Sequence, residues 1–120
     1  MTVARWAAVL LVCAGCKQQA DPPSPPPRAL PALPASELKR GHDACQAYVG
    51  RACACAETIA AARPRCAEAR ALADAIQVAA DVATNPDSTR RDAVQSNAAI
   101  RGVVKACIEQ LAKLPADGCP

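Results

Sequence analysis

Phenylalanine is absent from this 120-residue chain, and Trp6, Tyr48 and His42 are the sole tryptophan, tyrosine and histidine. A core built on stacked aromatic rings is thereby excluded, as is a centre that needs two or more histidines. Glycine is scarce too, at five residues, and none of them sits in a phosphate-cradling loop. No G-x-S-x-G elbow or H-E-x-x-H pair occurs, so neither a serine hydrolase of that type nor a zinc protease can be read from the chain. Alternating β-branched or aromatic residues are missing, which argues against sheet. No apolar run reaches the roughly 20 residues that a membrane-spanning helix needs. An excess of one charge is also lacking: 14 basic and 11 acidic residues are well mixed, for a formal +3. That distribution leaves no basic stripe for nucleic acid.

Three residue types are abundant instead: 30 alanines, 11 prolines and 8 cysteines. The hydrophobic share of 52% is therefore mostly alanine and overstates the core. There is room for one small domain, marginal unless it is stapled.

The N-terminal segment has the build of a targeting peptide. Met1 to Arg5 form a short basic start, Trp6 to Val12 are uninterruptedly apolar, and the small residues Cys13, Ala14 and Gly15 precede Cys16. Small residues before Cys16 suit an ordinary secretory peptidase as well, so a secreted protein with a stray cysteine is the plain alternative. With polar Lys17, Gln18 and Gln19 following, the stretch Val12-Cys13-Ala14-Gly15-Cys16 resembles the lipobox of a bacterial lipoprotein precursor, with Cys13 where that family usually carries leucine. The resemblance implies that Cys16 is the first residue of the mature chain and carries a thioether-linked diacylglycerol and an amide-linked acyl chain such as palmitate. Each buried methylene of such chains contributes about 0.8 kcal/mol of membrane affinity. It implies an envelope location as well, and the absence of Asp at position 17 points to the outer membrane, facing the periplasm or the cell surface. The whole chain is similar in plan to small cysteine-rich lipoproteins of uncharacterised role, a likeness that implies no ligand.

Residues 17–35 hold most of the prolines. Proline at this density forbids helix and sheet and favours polyproline II, so the segment reads as a semi-rigid tether. Three units follow: a signal peptide over 1–15, lipidated Cys16 with its Pro-rich linker over 16–35, and a domain over 36–120.

That domain is expected to be all-α, a three-helix bundle running up, down, up. A first helix is predicted from Ser36, as N-cap, to Ala61, with Leu38, Cys45, Val49, Ala52, Ala56 and Ile59 on one face and Gly50 as its weak point. Pro64 suits the first turn of a second helix, with Ala69, Leu72, Ile76, Ala79, Ala80 and Ala83 facing inward. The turn Thr84-Asn85-Pro86-Asp87-Ser88 closes it. A third helix begins near Ser88 or Thr89, where Thr89 and Asp92 resemble a capping box, and carries Ile100, Val104, Cys107, Ile108 and Leu111 inward until Leu114-Pro115 ends it.

Alanine faces contribute little transfer energy beside the 1.5–3 kcal/mol or so of a buried Leu or Ile, so disulfides are expected to hold the bundle. Cys45, Cys53, Cys55, Cys66, Cys107 and Cys119 make an even set for an exported domain. On a continuous first helix, Cys45, Cys53 and Cys55 cannot bridge one another, which leaves six connectivities. The expected set is Cys55 with Cys66, Cys53 with Cys107, and Cys45 with Cys119.

Functionally, the expectation is a non-catalytic, membrane-anchored envelope lipoprotein presenting this module for binding or structure, with no catalytic residues, metal or cofactor. Its partners would be the membrane, through the lipid on Cys16, and an unidentified envelope protein, but no nucleic acid. The alternative is a thiol-dependent metal-binding or redox lipoprotein using Cys53, Cys55 and Cys66. Against it, a C-x-C pair on a helix points its sulfurs to opposite sides, and an exported thiol is normally oxidised. His42, near the start of the first helix, reads as a surface residue, and the mixed carboxylates Glu57, Glu68, Asp74, Asp81 and Glu109 read as solvated helix faces.

Overall fold

The computed structural model of the chain describes Pro23 and residues 30–120. The signal-peptide reading, Cys16 and most of the tether lie outside the described residues. Three long helices carry the domain: α1 (Ala35–Thr58), α2 (Arg63–Thr84) and α3 (Arg90–Lys113). Short 3₁₀ turns at Ala60–Ala62 and Leu114–Asp117 follow α1 and α3. The connections are too short for anything but antiparallel neighbours, so α1 and α3 run the same way with α2 between them in sequence. No strand occurs among the described residues.

Local chemistry sets the helix ends. Thr89 and Asp92 form a full capping box: the Asp92 N–H donates to Thr89 Oγ1 at 3.2 Å and the Thr89 N–H to Asp92 Oδ2 at 2.9 Å. The Thr89 hydroxyl, which also donates to Asp92 Oδ2 at 2.7 Å, and then the Thr89 N–H hold the Asp92 pKa below the ordinary range. Ser36, expected as a cap, is instead inside the first turn of α1, which starts one residue earlier. There the carbonyl of Pro34 accepts from the N–H groups of Glu37 and Leu38. Proline has a fixed φ suited to the position before a helix, so the chain turns helical without a side-chain cap. Ser88 likewise donates its hydroxyl to the Val82 carbonyl at 2.6 Å, tying the turn back onto α2. α1 ends at Thr58, three residues before the expected Ala61, because Ile59 is extended and the alanines after it tighten into the 3₁₀ turn. Gly50 does not break α1 and is exposed.

The core is narrow, as an alanine-rich sequence demands. Ala52, Ala69 and Ala93 are wholly buried at the helix contacts, with Ile76, Ile100 and Leu114 as the larger aliphatics. Tyr48, fully buried, is the bulkiest core side chain, and its hydroxyl donates to Glu68 Oε2 at 3.4 Å. Burial, reinforced by the Glu68 charge, raises its pKa above the ordinary tyrosine value. The predicted α2 face is the observed one, with Ala69, Ile76 and Ala83 buried and Leu72, Ala79 and Ala80 packed beside them. On α1 the buried line is centred instead on Gly41, Cys45, Tyr48, Ala52 and Cys55, a slight rotation from the prediction. On α3, Ile108 points outward at 54% exposure, and the inward face is carried by Ala93, Ser96, Asn97, Ile100 and Cys107.

Gly41 brings α1 and α3 together. A Cβ placed there would lie 2.6 Å from Val104 Cγ2, so any side chain at this position would force Val104 or the helices to shift. One turn before it, Glu37 meets Arg101, whose Nε donates to Glu37 Oε1 at 2.7 Å.

Candidate functional site: the two ends of the bundle

Chemistry-bearing residues collect at the two ends of the bundle. At the α2–α3 turn end, the incoming chain lies on the helices. Leu33 packs against the core, and Asn97, buried on α3, donates from Nδ2 to the Pro31 carbonyl at 2.7 Å. The last residues of the predicted tether therefore belong to the domain. Asn97 Oδ1 has no hydrogen-bond partner among the described residues and is buried. Beside it a cleft of about 50 Å³ is lined by Leu33, Leu38, Ala83 and Ile100. That is room for one or two waters and far below the roughly 300 Å³ of a small-molecule site. The geometry holds Pro31 and Leu33 against this end of the bundle. The Arg101 guanidinium holds the Glu37 carboxyl below its usual range and secures the start of α1 next to it.

At the opposite end, Arg65 of α2 reaches three partners: Glu68 Oε2 at 3.2 Å, Gln110 Oε1 at 3.2 Å and Asp117 Oδ2 at 3.2 Å. It thereby joins α2 to α3 and to the C-terminal turn. Gly118, at φ 85, then reverses the chain, and the N–H of Cys119 donates to the Leu114 carbonyl at 3.0 Å. This is a left-handed position where a side chain would be strained.

Three disulfides run along the bundle: Cys45–Cys107, Cys53–Cys66 and Cys55–Cys119. No bond joins two of the α1 cysteines, so the connectivity is one of the six left open by the sequence. It is none of the three expected pairs. Cys66 takes Cys53 in place of Cys55, Cys107 takes Cys45 in place of Cys53, and Cys119 takes Cys55 in place of Cys45. The reason is register. α1 and α3 are parallel and climb at the same rate, so partners on the two helices keep a near-constant separation: 62 residues for Cys45–Cys107 and 64 for Glu37–Arg101. The expected pairing needed α3 to end soon after Cys107, with the tail folding back down to Cys45. Instead α3 runs on to Lys113 and the reversal at Gly118 delivers Cys119 directly to Cys55.

The thiolate set Cys53, Cys55 and Cys66 is thus divided between two disulfides, and α1 presents its two neighbouring cysteines to different partners. Among the described residues no three His, Cys, Asp or Glu side chains are grouped so as to hold a metal ion. His42 is half-buried on α1, one residue from the Gly41 contact. Glu57, Glu68, Asp74, Asp81 and Glu109 are exposed, and the last pairs with Lys105 at 3.8 Å. No described helix is long and apolar enough to cross a membrane.

Asn97 and Gly41 were not legible as important from the sequence. A buried polar residue carries no periodic signal of its own. Gly41 could have been found only as a glycine kept inside an otherwise strong helix, four residues before a cysteine on the inward face. No family model matches the chain, and no curated protein or solved structure is similar to it.

Proposed function

We propose that the protein is a lipid-anchored, non-catalytic lipoprotein of the bacterial envelope, held through Cys16 and presenting a disulfide-stapled helical module for binding or envelope structure. The observation that carries this reading is the allocation of its eight cysteines. All six that follow residue 16 are paired with one another inside the bundle, so the domain needs no bond to Cys16, for which the lipobox resemblance implies the lipid. Three disulfides accord with folding in an oxidising compartment. Lys17 in place of Asp favours the outer membrane by the same resemblance. Pro31 and Leu33 are held at one end of the bundle, so the tether of this reading ends on the domain before α1 begins.

The test is Cys16→Ser in the bacterial envelope, with a palmitate analogue as label and detergent-phase partition as the second readout. The wild-type chain is expected to incorporate label and enter the detergent phase, and the variant to do neither. Unchanged labelling and partition in the variant would overturn the reading.

A further inference from the structure

The three disulfides differ in access. Cys45, Cys107, Cys55 and Cys119 are each no more than 5% exposed, whereas Cys53 and Cys66 are half-buried and stand outside the hydrophobic cluster. Ala54, Glu57, Pro64 and Ala67 around them are exposed, so an incoming thiol meets little covering structure.

The two sulfurs also differ electrostatically. Cys66 is the fourth residue of α2, in the first turn, which has no acidic residue and carries Arg63 and Arg65. A helix N-terminus and nearby guanidinium groups stabilise a thiolate. Part of the Arg65 charge is answered by Glu68 and Asp117, but no acidic partner of Arg63 is found among the described residues. Cys53 stands near the other pole, five residues before the end of α1, with Glu57 one turn further on and no basic residue in the last turn. Its thiolate is the less favoured of the two. In thiol–disulfide exchange the sulfur with the more stable thiolate leaves, so attack falls on its partner.

We propose that Cys53–Cys66 is a thiol–disulfide exchange site for a low-molecular-weight thiol, with Cys53 as the sulfur attacked and Cys66 as the leaving thiolate. In the first step a thiolate RS⁻ forms a bond to Cys53 Sγ, the Cys53–Cys66 bond breaks, and its electron pair departs on Cys66 Sγ. The products are a Cys53–S–S–R mixed disulfide and a Cys66 thiolate. A second RS⁻ then attacks the sulfur of R in that mixed disulfide, releasing RSSR and a Cys53 thiolate. In sum, two thiols are oxidised to RSSR, the protein disulfide is reduced by two electrons, and both cysteines take up protons from solvent. Cys45–Cys107 and Cys55–Cys119 bypass α2 and keep α1 joined to α3 and the tail, so the bundle persists while the site is open. The proposal does not depend on the lipid at Cys16.

Glutathione is the probe. The full chain is incubated with graded glutathione, quenched in acid, alkylated and mapped by tandem mass spectrometry. Cys13 and Cys16 share a tryptic peptide apart from the others, which keeps them out of the reading. The expected result is glutathione on Cys53 and alkylation on Cys66, at concentrations at least about tenfold below those that open either buried disulfide. Helical circular dichroism should be retained in that range. Simultaneous opening of all three bonds, or an adduct chiefly on Cys66, would overturn the proposal. As a second arm, the Cys53→Ser/Cys66→Ser chain should take up no glutathione on its remaining domain cysteines over the same range. Uptake there would show that the buried bonds exchange as readily, against the proposal.

Discussion

Gly41→Ala sets two effects of opposite sign against each other. Inside a helix, alanine is favoured over glycine by roughly 1 kcal/mol, so an unobstructed site should gain stability. At Gly41 the added methyl would stand 2.6 Å from Val104 Cγ2, well inside van der Waals contact. Val104 cannot easily give way, because a β-branched side chain in a helix has one strongly preferred rotamer. The helices cannot easily part either, since Cys45–Cys107 clamps them one turn on at a Cα separation of 5.0 Å. Overpacking of this kind costs about 1–3 kcal/mol, so the net effect is a loss of up to about 2 kcal/mol. Gly50 supplies the control: a Cβ there has nothing within 4 Å, so Gly50→Ala should gain roughly 0.5–1 kcal/mol. Urea unfolding followed by circular dichroism without reductant reads both, the midpoint moving down for one and up for the other with the slope unchanged. Val104→Ala in the Gly41→Ala background should recover part of the loss, giving a favourable coupling between the two sites. If Gly41→Ala stabilises the chain as much as Gly50→Ala does, the close packing of α1 on α3 is refuted.

Asn97→Ala removes the donor that holds the Pro31 carbonyl, a bond worth about 1 kcal/mol, and should free the chain before α1 more than it destabilises the bundle. Limited proteolysis should then cut near Leu33 faster than in the wild type, and an unchanged cleavage rate would mean that the segment is held by Leu33 packing alone. Asp92 and Glu37 have carboxyl pKa values held below the ordinary range, the first by its bonds to Thr89 and the second by Arg101. A depressed folded-state pKa stabilises the fold above the unfolded value, and that contribution is lost as pH falls from the ordinary carboxylate range through the depressed one. Below about pH 4 the wild type should therefore lose stability faster than an Asp92→Ala, Glu37→Ala chain, as read by urea midpoints against pH; parallel profiles would remove both carboxylates from the account.

The fold class was legible because alanine-rich stretches with apolar residues at helical spacing admit one regular structure, and because Pro64, the capping box at Thr89 and Leu114-Pro115 act through local backbone chemistry. The cysteine set and its restriction to cross-helix pairs followed from the same local geometry: residues 8 or 10 apart on a straight helix are too far apart to bond. Which cysteine meets which was not legible, because pairing depends on how far one helix slides along another. That displacement is set by contacts between residues distant in sequence: Gly41 against Val104, Glu37 against Arg101, and the reversal at Gly118 that stops the tail beside Cys55. A slide of a few residues leaves every helix intact and changes every bridge. The same holds for Asn97 and for the unequal burial of the three disulfides, since exposure is a property of packed neighbours that no single helix possesses.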